Sequence, residues 1–378
     1  MVSSMTKMGG VGALLMNLYR NIDRERVCFD FLSLSLSDFE ECNADITSIG
    51  GVLYCIPNLS SCGLFAFIRY IRSMILSNGP YDSIHLHVYH LSGIVGWVAR
   101  RIGIQSIITH SHVTQYEGRN RHSFVFGPFF LLSQWLIRSR STLFMACSRD
   151  AGEALFGPNI VSSEKFRVLK NAIDTSEFRR MSQNEIASMK SKNEINRDDL
   201  VIGNIGRLSY SKNQIFLIHI FCEVLRVHKS AVLVIIGKGE LEDELRKEVR
   251  SKEIEDRVIF TGAQDNIPEW LSILDIFVMP SLFEGIGIVN IEAQALSVPC
   301  VVSDVIPIEA DLGLGLMQRV SLTKSPSEWA KTVLAAVSLV RPHRDVIQAT
   351  LQAKGYDIKA VARQMEHLYL DQAERGNI

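Results

Sequence analysis

Two pairs of charged residues have types and spacings that suggest chemistry. In "NIGRLSYSKN" (204–213), Arg207 and Lys212 lie five positions apart in a segment that follows an apolar run, and a helix is expected to begin near Asn213. Both cations could reach one anion there, and a helix start adds free backbone N–H groups that favour negative charge. In "PSLFEGIGIVNIEAQALSVPCVVSD" (280–304), Glu284 and Glu292 lie eight positions apart around Gly285 and Gly287. Apolar runs at 274–280 and 298–304 predict parallel strands, so "GIVNIEAQAL" between them is the expected crossover helix. Glu284 then belongs to the loop. Glu292 belongs to the helix, where a carboxylate can accept hydrogen bonds from vicinal hydroxyls such as those of a ribose. Taken singly, each feature has a plainer reading, because loop cations and solvated helix glutamates are common. Together they suit a diphosphate and a sugar diol.

The elements that must position these residues alternate along the chain. Strands are expected near 27–34, 51–56, 83–88, 104–109, 143–147 and 166–169, with helical segments near 9–21, 63–77, 91–101, 122–139 and 149–156. A second series runs through 200–207, 231–237, 257–262, 275–280 and 299–304, separated by amphipathic helices such as 240–252. The polar stretch 179–199 reads as the separator between two α/β halves. Two doubly wound halves imply a cleft between their strand C-termini. "IIGKGELEDEL" (235–245) places Gly237 and Gly239 between a strand and a helix. This is either an ordinary tight turn or one that also lets a nucleotide base approach the backbone. The third glycine and the acid of an NAD fingerprint are missing.

Composition excludes several classes. The chain has 378 residues, 47% hydrophobic and 21% charged, which describes a globular protein too long for one ordinary core. Seven cysteines form no C-x-x-C pair and no cluster with histidine, which argues against a zinc site and a disulfide framework and favours a reducing cytoplasm. The longest apolar run, 124–137, is shorter than the roughly 20 residues that span a bilayer. Residues 1–170 carry 16 Lys/Arg against 12 Asp/Glu, and the remainder 24 against 29. That asymmetry is either uneven solvated surface or a basic face resting on anionic lipid. No nucleic-acid partner is expected.

The motifs around Arg207, Gly237 and Glu284, with "VIFTGAQDNIPEWLSILDIF" before the last and "KGYDIKAVARQMEHLYL" at the C-terminus, resemble the retaining glycosyltransferases of family 4. The likeness covers nearly the whole chain and is strongest to the branch that builds bacterial capsular and extracellular polysaccharides. It implies the GT-B fold, an α/β architecture of two Rossmann-like doubly wound domains facing across a cleft. Residues 1–172 would form the acceptor-side domain, completed by a C-terminal helix at 357–378, and 173–356 the nucleotide-sugar donor domain. The resemblance assigns Arg207 and Lys212 to the donor diphosphate, Glu292 to the ribose hydroxyls and Glu284 to the donor sugar. Gly285, Ile286, Gly287 and Ile288 would complete the donor loop, with Gly237 and Gly239 beside the base. "MGGVGALLMNLYRNID" (8–23) resembles the family's glycine loop, with Gly9 and Gly10 near phosphate or acceptor. Only "MVSSM" precedes "TKMGG", so the first strand is expected to be short or missing.

The resemblance gives His110 in "IITHSHVT" (107–114) the family's contact with the transferred sugar, the alternative being a satisfied interior histidine; that plainer reading is the better one for His112 and for the run His85, His87, His90, which would otherwise line the cleft. No D-x-D sequence occurs, so no metal and no cofactor are expected. The resemblance further implies front-face substitution without a protein nucleophile, a UDP-sugar rather than a GDP-sugar, and a lipid-linked saccharide acceptor. Such an enzyme would be cytoplasmic and would meet the inner membrane surface. The candidate surface is 119–141, where Arg119, Arg121, Arg138 and Arg140 bracket Phe124, Phe126, Phe129, Phe130 and Trp135. Alternatives are a sugar-nucleotide epimerase or hydrolase of the same fold, or a non-catalytic donor-binding subunit.

Overall fold

The computed structural model describes residues 1–3, 10–34, 39–112 and 126–376. Contacts divide the chain into two compact units, Met1–Ile173 with Gly355–Ile378, and Asp174–Lys354.

Among the described residues, the first unit has seven parallel strands: β1 (Val2–Ser3), β2 (Asp30–Ser33), β3 (Val52–Cys55), β4 (Ser83–Leu86), β5 (Ser106–Ser111), β6 (Leu143–Ala146) and β7 (Phe166–Val168). Their order is β3-β2-β1-β4-β5-β6-β7. β1 is short, yet it takes an interior position between β2 and β4. The Leu32 N–H donates to the Met1 carbonyl at 2.8 Å and the His87 N–H to the Val2 carbonyl at 2.8 Å, so this brief segment still joins the two halves of the sheet. The final helix, Ile358–Gly376, packs Ile358, Ala362, Met365 and Tyr369 with Leu15 and Leu18 of helix Gly10–Asn21 against Ile108 and Met145 of the sheet. The last residues of the chain therefore complete the core begun by the first.

The second unit has six parallel strands among its described residues: β8 (Leu200–Ile205), β9 (Ala231–Ile236), β10 (Val258–Gly262), β11 (Ile276–Met279), β12 (Cys300–Ser303) and β13 (Met317–Val320), in the order β10-β9-β8-β11-β12-β13. β8, β9, β11 and β12 are buried along their whole length, as a sheet covered by helices on both faces requires. Helix Gln214–Val227 lays Leu217, Phe221 and Val224 on this sheet beside Trp329, which is fully buried with its indole N–H on the Ser321 carbonyl at 3.1 Å.

Two readings need correction. The stretch 179–199 is not a plain separator: it contains helix Gln183–Lys192 and belongs to the second unit. Its start is set by a reciprocal capping box between Ser182 and Glu185, an S-x-x-E signature that overall polarity obscured. The alternation read from the sequence stops at Asp304, whereas the structure continues it with β13 and helices Pro326–Ala336 and Arg344–Ala353.

The dependence of the first unit on the last helix gives a prediction. Met365 is fully buried, so Met365→Ala should destabilise that unit by about 2–5 kcal/mol. Hydrogen-exchange mass spectrometry should show faster exchange in β4–β6 and unchanged exchange in β8–β11; the reverse pattern would contradict the packing described.

Candidate active site

In each sheet the strand order reverses at one point, between β1 and β4 in the first and between β8 and β11 in the second. Open parallel sheets bind ligands beyond the strand C-termini at such reversals, because the two loops diverge there. The loop after β8 carries Arg207 and Lys212, and the loop after β11 carries Glu284. Main-chain and side-chain bonds tie these loops together. The Leu282 N–H donates to the Ser211 carbonyl at 2.8 Å, and the Asn213 amide to the Pro280 carbonyl at 3.1 Å. Lys212 Nζ forms an ion pair with Glu284 Oε1, which also accepts from the Ser281 hydroxyl at 2.9 Å.

Arg207 and Lys212 thus lean on different carboxylates. The Arg207 guanidinium meets Glu240 at 3.0 Å, with side chains 68% and 50% exposed, whereas the Lys212 and Glu284 side chains are only 18% and 11% exposed. An exposed pair is worth about 0–1 kcal/mol, so Arg207 can readily turn to another anion. Removing one partner of a buried pair costs about 3–5 kcal/mol, so Lys212 and Glu284 hold each other in place. Helices Gln214–Val227 and Ile288–Ala295 both begin at this edge, and neither has a side-chain N-cap bond. Their N-caps, Asn213 and Gly287, are left-handed at φ 55° and 65°. Both helix ends keep donors for an anion.

Gly237 and Gly239 are explained by close backbone approach. A Cβ at Gly237 would lie 2.0 Å from the Gly206 carbonyl oxygen, and one at Gly239 would lie 2.2 Å from that of Leu208. The two loops can be this close only because neither glycine carries a side chain. Their bonds, Leu208 N–H to Lys238 O at 3.0 Å and Leu241 N–H to Leu208 O at 3.1 Å, fix the backbone around Arg207.

Gly285 and Ile286 are buried, Ile288 is half-buried, and Glu292 follows one turn further along the helix. The Glu292 carboxylate makes no hydrogen bond or ion pair among the described residues, and burial pushes its pKa up to about 7. Asn290, on the same helix, is fully buried, and both its amide atoms are unpartnered among the described residues. Sequence spacing did not single it out, although an amide directly after a Gly-rich loop was a readable signal.

In the first unit, Gly9 lies outside the described residues and Gly10 opens helix Gly10–Asn21. His110 is 1% exposed at the end of β5. It belongs to a group: its ring centroid is 5.4 Å from that of His85, 5.1 Å from His87 and 4.0 Å from His112. Burial holds the pKa values of His85, His87 and His110 well below the ordinary 6.5, and that of His112 at about 3, so the group is neutral. His90 lies apart from it, its ring 4.2 Å from that of Phe130.

Helix Phe126–Arg140 divides the residues of the expected membrane surface. Phe129 packs against the core of the first unit and Phe130 meets His90, while Leu131, Leu132 and Trp135 are the exposed apolar residues. Arg138 donates to the Phe156 carbonyl at 2.8 Å. Arg119, Arg121 and Phe124, like the side chain of Phe126, lie outside the described residues.

Residues 8–177 match the family described as Glycosyltransferase Family 4, and residues 185–338 match Glycosyl transferases group 1. Over 370 residues the chain is 34% identical to "Putative glycosyltransferase EpsF" of Bacillus subtilis (strain 168), covering 98% of this chain and 95% of that protein. The chain belongs to glycosyltransferase family 4. This family 4 chain is also 26% identical over 264 residues to UDP-Gal:alpha-D-GlcNAc-diphosphoundecaprenol alpha-1,3-galactosyltransferase of Escherichia coli, covering 67% of this chain and 66% of that one. Its fold is that of Anabaena HepE, solved with UDP and glucose, at a TM-score of 0.77 and 17% identity over 97% of each chain. The architecture of this glycosyltransferase is GT-B.

The Glu292 carboxyl carries a pH signature. Its folded-state pKa of about 7 exceeds the ordinary 4.5, so between these values the folded chain holds a proton that the unfolded chain has lost. Its contribution therefore makes stability fall as pH rises through this window and then level off. Glu292→Gln cannot ionise and should melt above wild type at about pH 8, with the gap closing toward about pH 4. Differential scanning fluorimetry across that range checks it, and a pH-independent gap would contradict it.

Proposed function

We propose that this glycosyltransferase moves a hexosyl group, with retention, from a UDP-sugar to a lipid-linked saccharide in bacterial surface-polysaccharide synthesis. The observation that carries this reading is the pair of tied loops at the β8/β11 reversal, which brings two cations, two uncapped helix starts and two glutamates to one sheet edge. Arg207 and Lys212 would neutralise the diphosphate, aided by N–H groups of helices Gln214–Val227 and Ile288–Ala295. Lys212 has three donors and can keep Glu284 while contacting phosphate. Glu292, without a partner among the described residues, would accept from the ribose hydroxyls. Glu284 would face the donor sugar.

In the reaction, the bond between the anomeric carbon and the phosphate oxygen breaks as the acceptor hydroxyl oxygen bonds to that carbon on the same face. The hydroxyl proton passes to the leaving phosphate, and no protein nucleophile is assigned. The protein's part is to stabilise the departing charge, and Arg207, Lys212 and the helix starts suit that without a metal on the diphosphate. No described helix is long and apolar enough to cross a membrane. The exposed Leu131, Leu132 and Trp135 offer a surface for peripheral contact with the inner face of the membrane. The relatedness to a diphosphoundecaprenol-dependent galactosyltransferase supports a lipid-linked acceptor.

Nucleotide release measured with and without acceptor tests transfer against hydrolysis and against mere donor binding. Arg207→Ala should keep the fold, since its partner is an exposed glutamate, and should lower turnover by roughly a hundredfold. Lys212→Ala should lower it at least as far, with circular dichroism used to confirm folding because Glu284 loses its cation. Wild-type turnover in either folded variant overturns the assignment. Separately, EDTA should leave transfer unchanged. Loss of transfer on chelation, restored by Mg²⁺ or Mn²⁺, would overturn the metal-independent reading.

A further inference from the structure

The first unit gathers four histidines, His85, His87, His110 and His112, at the ends of two neighbouring strands. β4 and β5 are parallel neighbours with Leu86 paired to Thr109, so the next position in this register sets His87 against His110. Side chains two positions apart share a sheet face, which places His85 and His112 on that face as well. The four rings meet closely, with centroids 4.1 Å apart for His85 and His87 and 5.1 Å apart for His87 and His112.

Packing accounts for the ring faces but not for the in-plane nitrogens. His85 Nδ1 is 2.7 Å from the Tyr369 hydroxyl, and His87 Nδ1 is 2.8 Å from His112 Nε2. Among the described residues, five ring nitrogens are buried without a partner: Nε2 of His85, Nε2 of His87, both nitrogens of His110, and Nδ1 of His112. Buried polar atoms are normally hydrogen-bonded, so five unsatisfied ones together call for a ligand that satisfies several at once. Ligand atoms of His85, His87 and His110 all lie within 4.8 Å of one another.

We infer that His85, His87 and His110 form a binding site for a divalent transition metal of the imidazole-preferring class, such as Zn²⁺, Co²⁺ or Ni²⁺. Three neutral imidazoles with one open position are a donor set that such ions accept, whereas Mg²⁺ and Ca²⁺ require oxygen ligands. Metal bonds of about 2.0–2.1 Å require the rings to draw together, which rotation about their side-chain torsions supplies. The outer shell is already present. Tyr369 engages His85 Nδ1 and His112 engages His87 Nδ1, and each bond directs the opposite nitrogen, Nε2, toward the site. This site lies wholly in the first unit. It does not depend on the transfer reading.

The test uses the untagged full chain, stripped with EDTA and then titrated with Co²⁺ and with Zn²⁺. Elemental analysis after dialysis should find one ion per chain, and Co²⁺ should develop the visible absorption of a nitrogen-ligated ion. His85→Gln or His87→Gln should weaken binding at least tenfold, and Tyr369→Phe by about 10-fold or more while keeping the one-ion stoichiometry. His219→Gln, a histidine of the second unit paired with Glu248, should bind as wild type does. Absence of stoichiometric uptake by the folded wild-type chain overturns the proposal, whatever the variants do. So does uptake that persists in a folded His85→Gln/His87→Gln double variant.

Discussion

The donor-side edge depends on the adjacency of β8 and β11, two parallel strands far apart in sequence that become neighbours where the second sheet reverses its order. Parallel pairing sends both loops out at the same edge, and the reversal sends the following helices to different sides, opening space between them. The Leu282–Ser211 and Asn213–Pro280 bonds then set the spacing of the loops. Only with that spacing fixed can Lys212 and Glu284 form a largely buried ion pair. Glu240, on the β9 side, pairs with Arg207 in a contact weak enough to exchange.

The two units use burial for different ends. In the second, partial burial leaves Glu292 as a carboxyl that titrates near neutral pH, while the cations nearby are held by acids or left exposed. In the first, the histidines are neutral and crowded under the final helix, whose Tyr369 reaches the ring of His85. A C-terminal segment can enter this core because Ile173 and Tyr356 hydrogen-bond backbone to backbone at 3.0 Å where the chain returns. The same helix therefore stabilises the first sheet and orients one of its histidines.

Much of this architecture is legible in the amino-acid sequence. Runs such as "AVLVIIG" and "DIFVMP" are apolar on both faces and can only be interior strands of a covered parallel sheet, and the loops after them carry charges that have no place in a core. The placement of Glu284 in a loop and Glu292 on a helix follows from the same pattern. The helix within 179–199 is hidden because its buried residues are few and include Lys190, whose ammonium reaches the Arg197 and Asp199 carbonyls at 3.2 Å. The elements after Asp304 lack a distinctive motif.

What the sequence determined by itself was therefore the order of elements and the inventory of charges at strand ends, since periodicity and burial are local properties of the chain. Which carboxylate meets which cation was decided by the tertiary structure, because Arg207 with Glu240 and Lys212 with Glu284 are pairings across strand neighbours that no local pattern encodes. The same holds for Gly237 and Gly239, whose need arises from the backbone of another loop. It holds also for the histidines: alternation puts His85 with His87 and His110 with His112, but only the pairing of β4 with β5 makes one group of four.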